Sequence, residues 1–228
     1  MQLYIGNKNY SSWSMRPWVL MTQAGIAFEE RVLRFDSFGP DSSFKREVAR
    51  LSPAARVPLL VDRGFTVWDS LAIAEYLAER FPERRLWPEE AQARARARSI
   101  CAEMHSGFSA LRNHFPMNIE ASLPEVGQRV LAEQAAVRAD LARIEQMWGG
   151  LLDQHRGPFL FGRFSIPDAY FAPVCTRLHT YAAPMSAPIE AYVERVMQTP
   201  AVQAWVRDAL AEQDFVAFDE PYRKSREG

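Results

Sequence analysis

Three observations predict an α/β half followed by an all-helical half. Short apolar runs of β character alternate with helical patterns up to residue 81. The segment Phe81-Pro82-Glu83-Arg84-Arg85-Leu86-Trp87-Pro88 then sets two prolines around charged residues, the composition of a linker. Beyond it only helical periodicity is found.

The elements follow in order. Leu3-Tyr4-Ile5 reads as a strand and is followed by a helix from about Ser12 to Ala24. Glu30–Arg34, Val57–Asp62 and Thr66–Val67 read as further strands, and Ser70–Arg80 as a helix. The second half is drawn as helices over Glu89–Phe115, Glu125–His155, Pro167–Tyr181, Ile189–Gln198 and Ala201–Gln213. Pro116, Pro124, Gly157-Pro158, Pro184, Pro188 and Pro200 separate them, because proline ends a helix or occupies its first turn. The expected organisation is a first domain over residues 1–81, a linker over 82–88 and a helical domain over 89–228.

Composition narrows the function classes. A chain of 228 residues with 48% hydrophobic content buries a sizeable core. Lys plus Arg total 27 against 28 for Asp plus Glu, so no overall field steers the protein toward nucleic acid or anionic lipid. The N-terminus has no basic segment leading into an apolar one, and no run approaches a membrane span, so a soluble cytoplasmic protein is expected. Cys101 and Cys175 lie far apart in apolar helical patterns, which predicts buried free thiols, and no metal-ligand spacing is present.

Chemistry concentrates where the first strand becomes the first helix. Ser11, Ser12 and Ser14 fall at a helix start, where unpaired N–H groups and the macrodipole favour an anion and serine adds a mobile O–H donor. A phosphate, a carboxylate or a thiolate fits, and so does simple N-capping. In Arg56-Val57-Pro58-Leu59-Leu60, Pro58 precedes an apolar run, which marks a strand start, an edge or a bulge and a candidate cis peptide. A turn of that kind leaves the N–H and C=O of Val57 open to pair with a short peptide. Asp69-Ser70 opens the next helix and offers a cap or a carboxylate site. Ser165 and Asp168, around Pro167, have capping-box spacing and read as structural.

Together these motifs resemble a cytosolic glutathione transferase. The carriers are the Ser-Ser-x-Ser-x-Arg turn at Ser11–Arg16, the Arg56-Val57-Pro58 turn, Asp69-Ser70 followed by Ala72-Ile73-Ala74-Glu75-Tyr76-Leu77, and the Ser165–Asp168 box. Their order and spacing match from Leu3 to about Gln213, and the serine pattern is similar to that of zeta-like members. The resemblance implies a thioredoxin-like N-terminal domain, an all-helical C-terminal domain and a cleft for glutathione as co-substrate, with no metal. It implies that Ser70 holds the γ-glutamyl carboxylate, that Asp69 meets the γ-glutamyl amine, and that Val57 beside cis Pro58 pairs with the cysteinyl backbone. Ser11 would then donate to the glutathione sulfur, with Ser12 and Ser14 as support and Tyr10 as the rival donor. Hydrogen bonding to the charged form lowers a thiol pKa from its usual value near 8.5.

The expected activity is transfer of the thiolate to a small, largely apolar electrophile, a detoxification chemistry. A zeta-type cis-trans isomerase and a non-enzymatic interaction module are the alternatives. The maleylacetoacetate isomerase type carries glutamine where this chain has Ser109 and Ser43, and arginine near where it has Thr180. Of that group only Asn113 is retained, which weakens the isomerase reading, although Arg112 and Arg177 offer cations in exchange. Cysteine-type members need a cysteine at the first helix turn, and none is there. Trp13, His105, Phe108 and Arg112 are the candidate acceptor-site residues, with plain packing an even alternative for the last three. Arg16 is expected to pair with an acidic side chain, and Arg94, Arg96 and Arg98 to form a solvated face with a Glu90–Arg94 pair. A homodimer is implied by the resemblance.

Overall fold

The computed structural model describes residues 1–226; Glu227 and Gly228, the end of the expected second domain, lie outside the described residues. The first part is a four-stranded sheet of order β2-β1-β3-β4, formed by β1 (Gln2–Ile5), β2 (Glu29–Val32), β3 (Leu59–Asp62) and β4 (Phe65–Trp68). β1 runs parallel to β2 and antiparallel to β3, with Leu3 opposite Glu30 on one side and Leu60 on the other. β3 and β4 form a hairpin whose two turn residues, Arg63 and Gly64, both have positive φ, as the tight primed turns require.

Strand alternation divides the core in two. Leu3, Ile5 and Leu60 face a large core shared with α1 (Ser12–Gln23), α3 (Ser70–Arg80) and the helical half. Leu59 and Tyr4 face the other way, against Phe44 and Val48 of α2 (Ser43–Ala49). The sequence pattern misses α2: one i,i+4 apolar pair is its whole signal, although Ser42 caps it by accepting from the Lys45 N–H at 3.1 Å.

The helical half comprises α4 (Ala91–Ser106), α5 (Ser109–His114), α6 (Pro124–Glu133), α7 (Ala135–His155), α8 (Ile166–Thr180), α9 (Ala187–Met197) and α10 (Pro200–Glu212). Two expected long helices are broken. The first ends at Gly107, and Phe108 takes a left-handed conformation with φ 54° before α5 begins. A Cβ on Gly107 would lie 2.8 Å from the Glu103 carbonyl oxygen, so the glycine is required there. The second breaks at Gln134, with φ −106° and ψ 91°, where neither proline nor glycine gives warning. The other observed ends lie within two residues of expectation: the strand expected from Val57 begins at Leu59, for example, and the one expected to run to Arg34 closes at Val32.

α1 joins the halves. It is buried on nearly every face, between the sheet and helices α8 and α10. Above it Lys8, almost fully buried, places its Nζ 2.8 Å from both Glu30 of the sheet and Asp208 of α10, and 4.5 Å from the Trp18 ring centre. The Trp18 and Trp205 rings meet edge to face at 5.3 Å beneath it. Asp168 anchors α8: its carboxylate accepts from the Leu160 and Ser165 N–H groups, the Ser165 hydroxyl and the Tyr192 hydroxyl, which is the structural role expected. Among the described residues no helix is long and apolar enough to cross a membrane.

Candidate functional site

A cavity of about 410 Å³ opens between the halves, with the first turn of α1 as its floor. Tyr10, Ser11, Ser12 and Trp13 contribute from that turn, and Phe35, Phe38, Phe44, Lys45, Arg56 and Val57 from the sheet half. Arg112, Asn113, Pro116, Met117, Arg177 and Asp219 close it from the helical side. A larger hollow of about 750 Å³, around Pro88–Ala93 and His155–Arg163, holds none of the predicted site residues.

The three serines differ in what their hydroxyls do. Ser11, the N-cap, donates to the Ser14 oxygen at 2.7 Å, and Ser14 also accepts from the Gly6 N–H at 3.1 Å. Ser14 is fully buried and fixes the turn from behind, so it supports the site without reaching the cavity. Ser12 accepts from Arg177 Nη2 at 3.1 Å, and its own hydrogen has no acceptor among the described residues. The N–H groups of Trp13 and Ser14 likewise make no main-chain bond there, leaving a donor-rich helix start.

Tyr10 lines the cavity, but its hydroxyl is committed to the C-terminal segment. Its hydroxyl donates to Glu220 at 2.7 Å and accepts from the Val216 N–H at 3.3 Å, and burial, with the Glu220 bond, pushes its pKa up to about 12. Arg16 corrects the expectation of an acidic partner. It is fully buried, its guanidinium 4.2 Å from the Trp13 ring centre and 4.1 Å from that of Tyr170, with Nε and Nη1 unpaired. Stacking between two aromatic faces replaces the ion pair. Arg177 donates to the carbonyls of Phe115 and Pro173 as well as to Ser12, and burial pushes its pKa down to about 9, with Arg16 and Arg112 adding to the effect. Arg112 donates to the Met104 and His105 carbonyls, at 3.0 and 3.3 Å. The acceptor side expected to be largely apolar thus carries two guanidinium groups.

The Val57–Pro58 bond is cis, the isomer for which its motif made it a candidate, and Val57 lines the cavity. Asp69 and Ser70 do not line it. Asp69, not Ser70, caps α3: with φ 75°, it accepts from the Leu71 N–H at 2.8 Å and meets His105 Nε2 at 3.2 Å. Ser70 is buried and shares a hydrogen with the Tyr170 hydroxyl at 2.9 Å, which in turn lies 2.9 Å from His105 Nδ1. His105 and Phe108 stay off the cavity wall, while Trp13 and Arg112 are on it. Phe108 packs in the core at the break before α5. Arg96 and Arg98 are exposed as expected, but no Glu90–Arg94 ion pair forms among the described residues: Glu90 caps α4, half-buried Arg94 donates to the Glu89 and Pro88 carbonyls, and Arg98 pairs with Glu75 at 2.7 Å. Cys101 and Cys175 are buried and unpaired, their thiols pushed up by burial.

Phe35, Phe38, Phe44, Lys45 and Asp219 line the cavity without having been singled out by the sequence. The phenylalanines fall in a segment with no strong period, where their edge-to-face cluster had no pattern to announce it. Asp219 lies beyond the last expected helix. Among the described residues no group of three or more His, Cys, Asp or Glu side chains is arranged to hold a metal.

Residues 10–80 match the family model of the glutathione S-transferase N-terminal domain, and residues 90–208 that of the C-terminal domain. The chain is 29% identical over 187 residues to a maleylacetoacetate isomerase of Rattus norvegicus, covering 81% of each chain. It is 25% identical over 202 residues to a stringent starvation protein A homolog of Haemophilus ducreyi, covering 87% of this chain and 86% of that one. A glutathione transferase homolog from Burkholderia, solved with bound glutathione, superposes with a TM-score of 0.67 at 27% identity, over 91% of this chain and 96% of that one. The serine turn, the cis-proline turn and the buried capping box therefore sit where two family models run consecutively through the chain, which belongs to the glutathione S-transferase family.

Proposed function

We propose that the protein binds glutathione in the cavity at the start of α1, activates its thiol as a thiolate and transfers it to a small electrophile held against the helical wall. The observation that carries this reading is the Ser12 hydroxyl: it is at the first turn of α1, its oxygen is already occupied by Arg177, and its hydrogen is unspent. Such a hydroxyl donates to an anion and gains little from a neutral thiol. Ser11, whose hydrogen goes to Ser14, becomes the supporting residue. The cysteinyl backbone of glutathione pairs with Val57, and Lys45 and Arg56, the cations on that side of the cavity, are the partners proposed for its glycyl carboxylate. At the other end the α3 start receives the γ-glutamyl group, Ser70 and Asp69 turning from Tyr170 and His105 toward the ligand.

The acceptor is a compact electrophile that combines an apolar body, facing Trp13, Pro116 and Met117, with an anionic or strongly polar end facing Arg112 and Asn113. That wall also keeps the zeta-type isomerase of carboxylate-bearing substrates as a second reading, favoured by the two guanidinium groups. Conjugation of a generic electrophile against isomerisation of a cis-enedione acid separates the two. The proposed assembly is a homodimer, and the proposed location the cytoplasm.

Thiolate absorbance of bound glutathione, followed against pH, tests the reading. Ser12→Ala is expected to raise the thiol pKa toward its free value, with a loss of roughly tenfold or more in turnover, and Ser11→Ala to have a smaller effect. An identical titration in wild type and Ser12→Ala removes the role of Ser12.

A further inference from the structure

Arg177 is the buried group whose presence the packing alone does not explain. Its guanidinium donates to the Phe115 carbonyl at 2.8 Å, the Pro173 carbonyl at 3.2 Å and the Ser12 hydroxyl at 3.1 Å, all of them neutral acceptors. Among the described residues no carboxylate lies within ion-pair distance of it, whereas a buried guanidinium is ordinarily matched by one. Arg16 and Arg112, the nearest like charges, have no carboxylate at that distance either, and Asp219 acts on Arg177 only from farther off. Positive charge therefore accumulates behind Ser12 and stays unbalanced until an anion enters the cavity.

We infer that Arg177 is a positioning residue for thiolate formation: it holds the Ser12 oxygen from behind, turns the hydroxyl hydrogen into the cavity, and supplies the charge that balances the sulfur anion. This rests on the reading that Ser12 faces the glutathione sulfur. The two carbonyls on Nε and Nη1 fix the plane of the guanidinium, and with it the direction from which Nη2 meets the Ser12 oxygen. A hydroxyl that accepts from a cation is polarised and donates more strongly to its own acceptor. The step itself is an ionisation: the S–H bond breaks, the proton leaves to water, and sulfur keeps the electron pair. Lysine does not replace this group, because a single ammonium cannot hold two carbonyls and a hydroxyl in one plane.

The test uses the full chain with saturating glutathione, occupancy being measured separately by calorimetry and the thiolate by its absorbance against pH. Ser12→Ala, Arg177→Gln, Arg177→Lys and the Ser12→Ala/Arg177→Gln pair are compared. The inference expects Arg177→Gln to lower the thiolate fraction at neutral pH by about tenfold and Arg177→Lys to lower it by less. The double variant should lose no more than the larger single change, as for residues acting through one another. A titration unchanged in Arg177→Gln while Ser12→Ala shifts it overturns the role of Arg177 and leaves Ser12 in place. No shift in Ser12→Ala overturns the Ser12 reading and this inference with it. If Arg177→Gln does not fold, Arg177→Lys decides, an unchanged thiolate fraction counting against the proposal.

Discussion

Ser11 and Ser12 are neighbours in sequence with opposite commitments: one gives its hydrogen to Ser14, the other keeps it. The resemblance puts Ser11 toward the sulfur and Ser12 in support; what separates their hydroxyls is Arg177, which is 165 positions away from Ser12. Asp168 shows the reverse case, in which spacing sufficed. Its capping box with Ser165 is local, and the structure adds only the donors from Leu160 and Tyr192. Burial pushes the Asp168 carboxyl up to about 6, its four donors working against that rise. The folded protein then holds this proton more tightly than the unfolded chain, whose aspartate titrates near 3.9. The stability this group contributes is full below pH of about 4 and lost as pH climbs through about 6. Thermal melts should accordingly show the stability of wild type relative to Asp168→Asn falling across that window. Asp168→Ala, which leaves buried N–H groups unpaired, should cost about 2–4 kcal/mol by denaturant unfolding at neutral pH.

At the scale of elements, the strands, the capped α3 and the proline-bounded helices were legible because their causes are local. Alternation, capping residues and prolines all act within a few positions. The breaks were not equally legible. Both segments read as continuous helices: Gly107 sits singly inside an otherwise helical pattern, and Gln134, which turns the chain between α6 and α7, is a residue that helices ordinarily accept. Close packing of α6 also depends on a glycine that sequence gives no reason to single out. A Cβ on Gly127 would fall 1.9 Å from the Tyr181 carbonyl oxygen, so α6 must shift to admit even alanine. Gly127→Ala should destabilise by about 1–3 kcal/mol, read as a lower denaturation midpoint, whereas Gly149→Ala, with nothing within 4 Å of the added atom, should not.

For the whole molecule, the two halves are legible as classes of structure, but the cavity between them is assembled from pieces that meet only on folding. Its mouth shows this: Phe218, from the C-terminal segment, packs on Phe38 at 4.8 Å, and neither belongs to a periodic pattern. The proposed homodimer has a physical motive on the sheet edge, where β4 exposes Phe65 and Trp68 at 63% and 46%. An unpaired edge strand bearing two aromatic side chains is a surface that association covers. Light scattering should find a dimer, and Phe65→Asp together with Trp68→Asp should shift it to monomer with the helical content kept. No residue of β4 lines the cavity, so the monomer should still hold glutathione if the site is complete within one chain.

Lys8 has an optical consequence. Its ammonium lies 4.5 Å from the centre of the Trp18 ring and 5.4 Å from that of Trp205, one indole from each half of the chain. A positive charge that close to an excited indole alters its emission, and the pair is disassembled by any opening between the halves. The fluorescence of these two tryptophans is thus a built-in gauge of whether the halves stay docked while glutathione enters and product leaves.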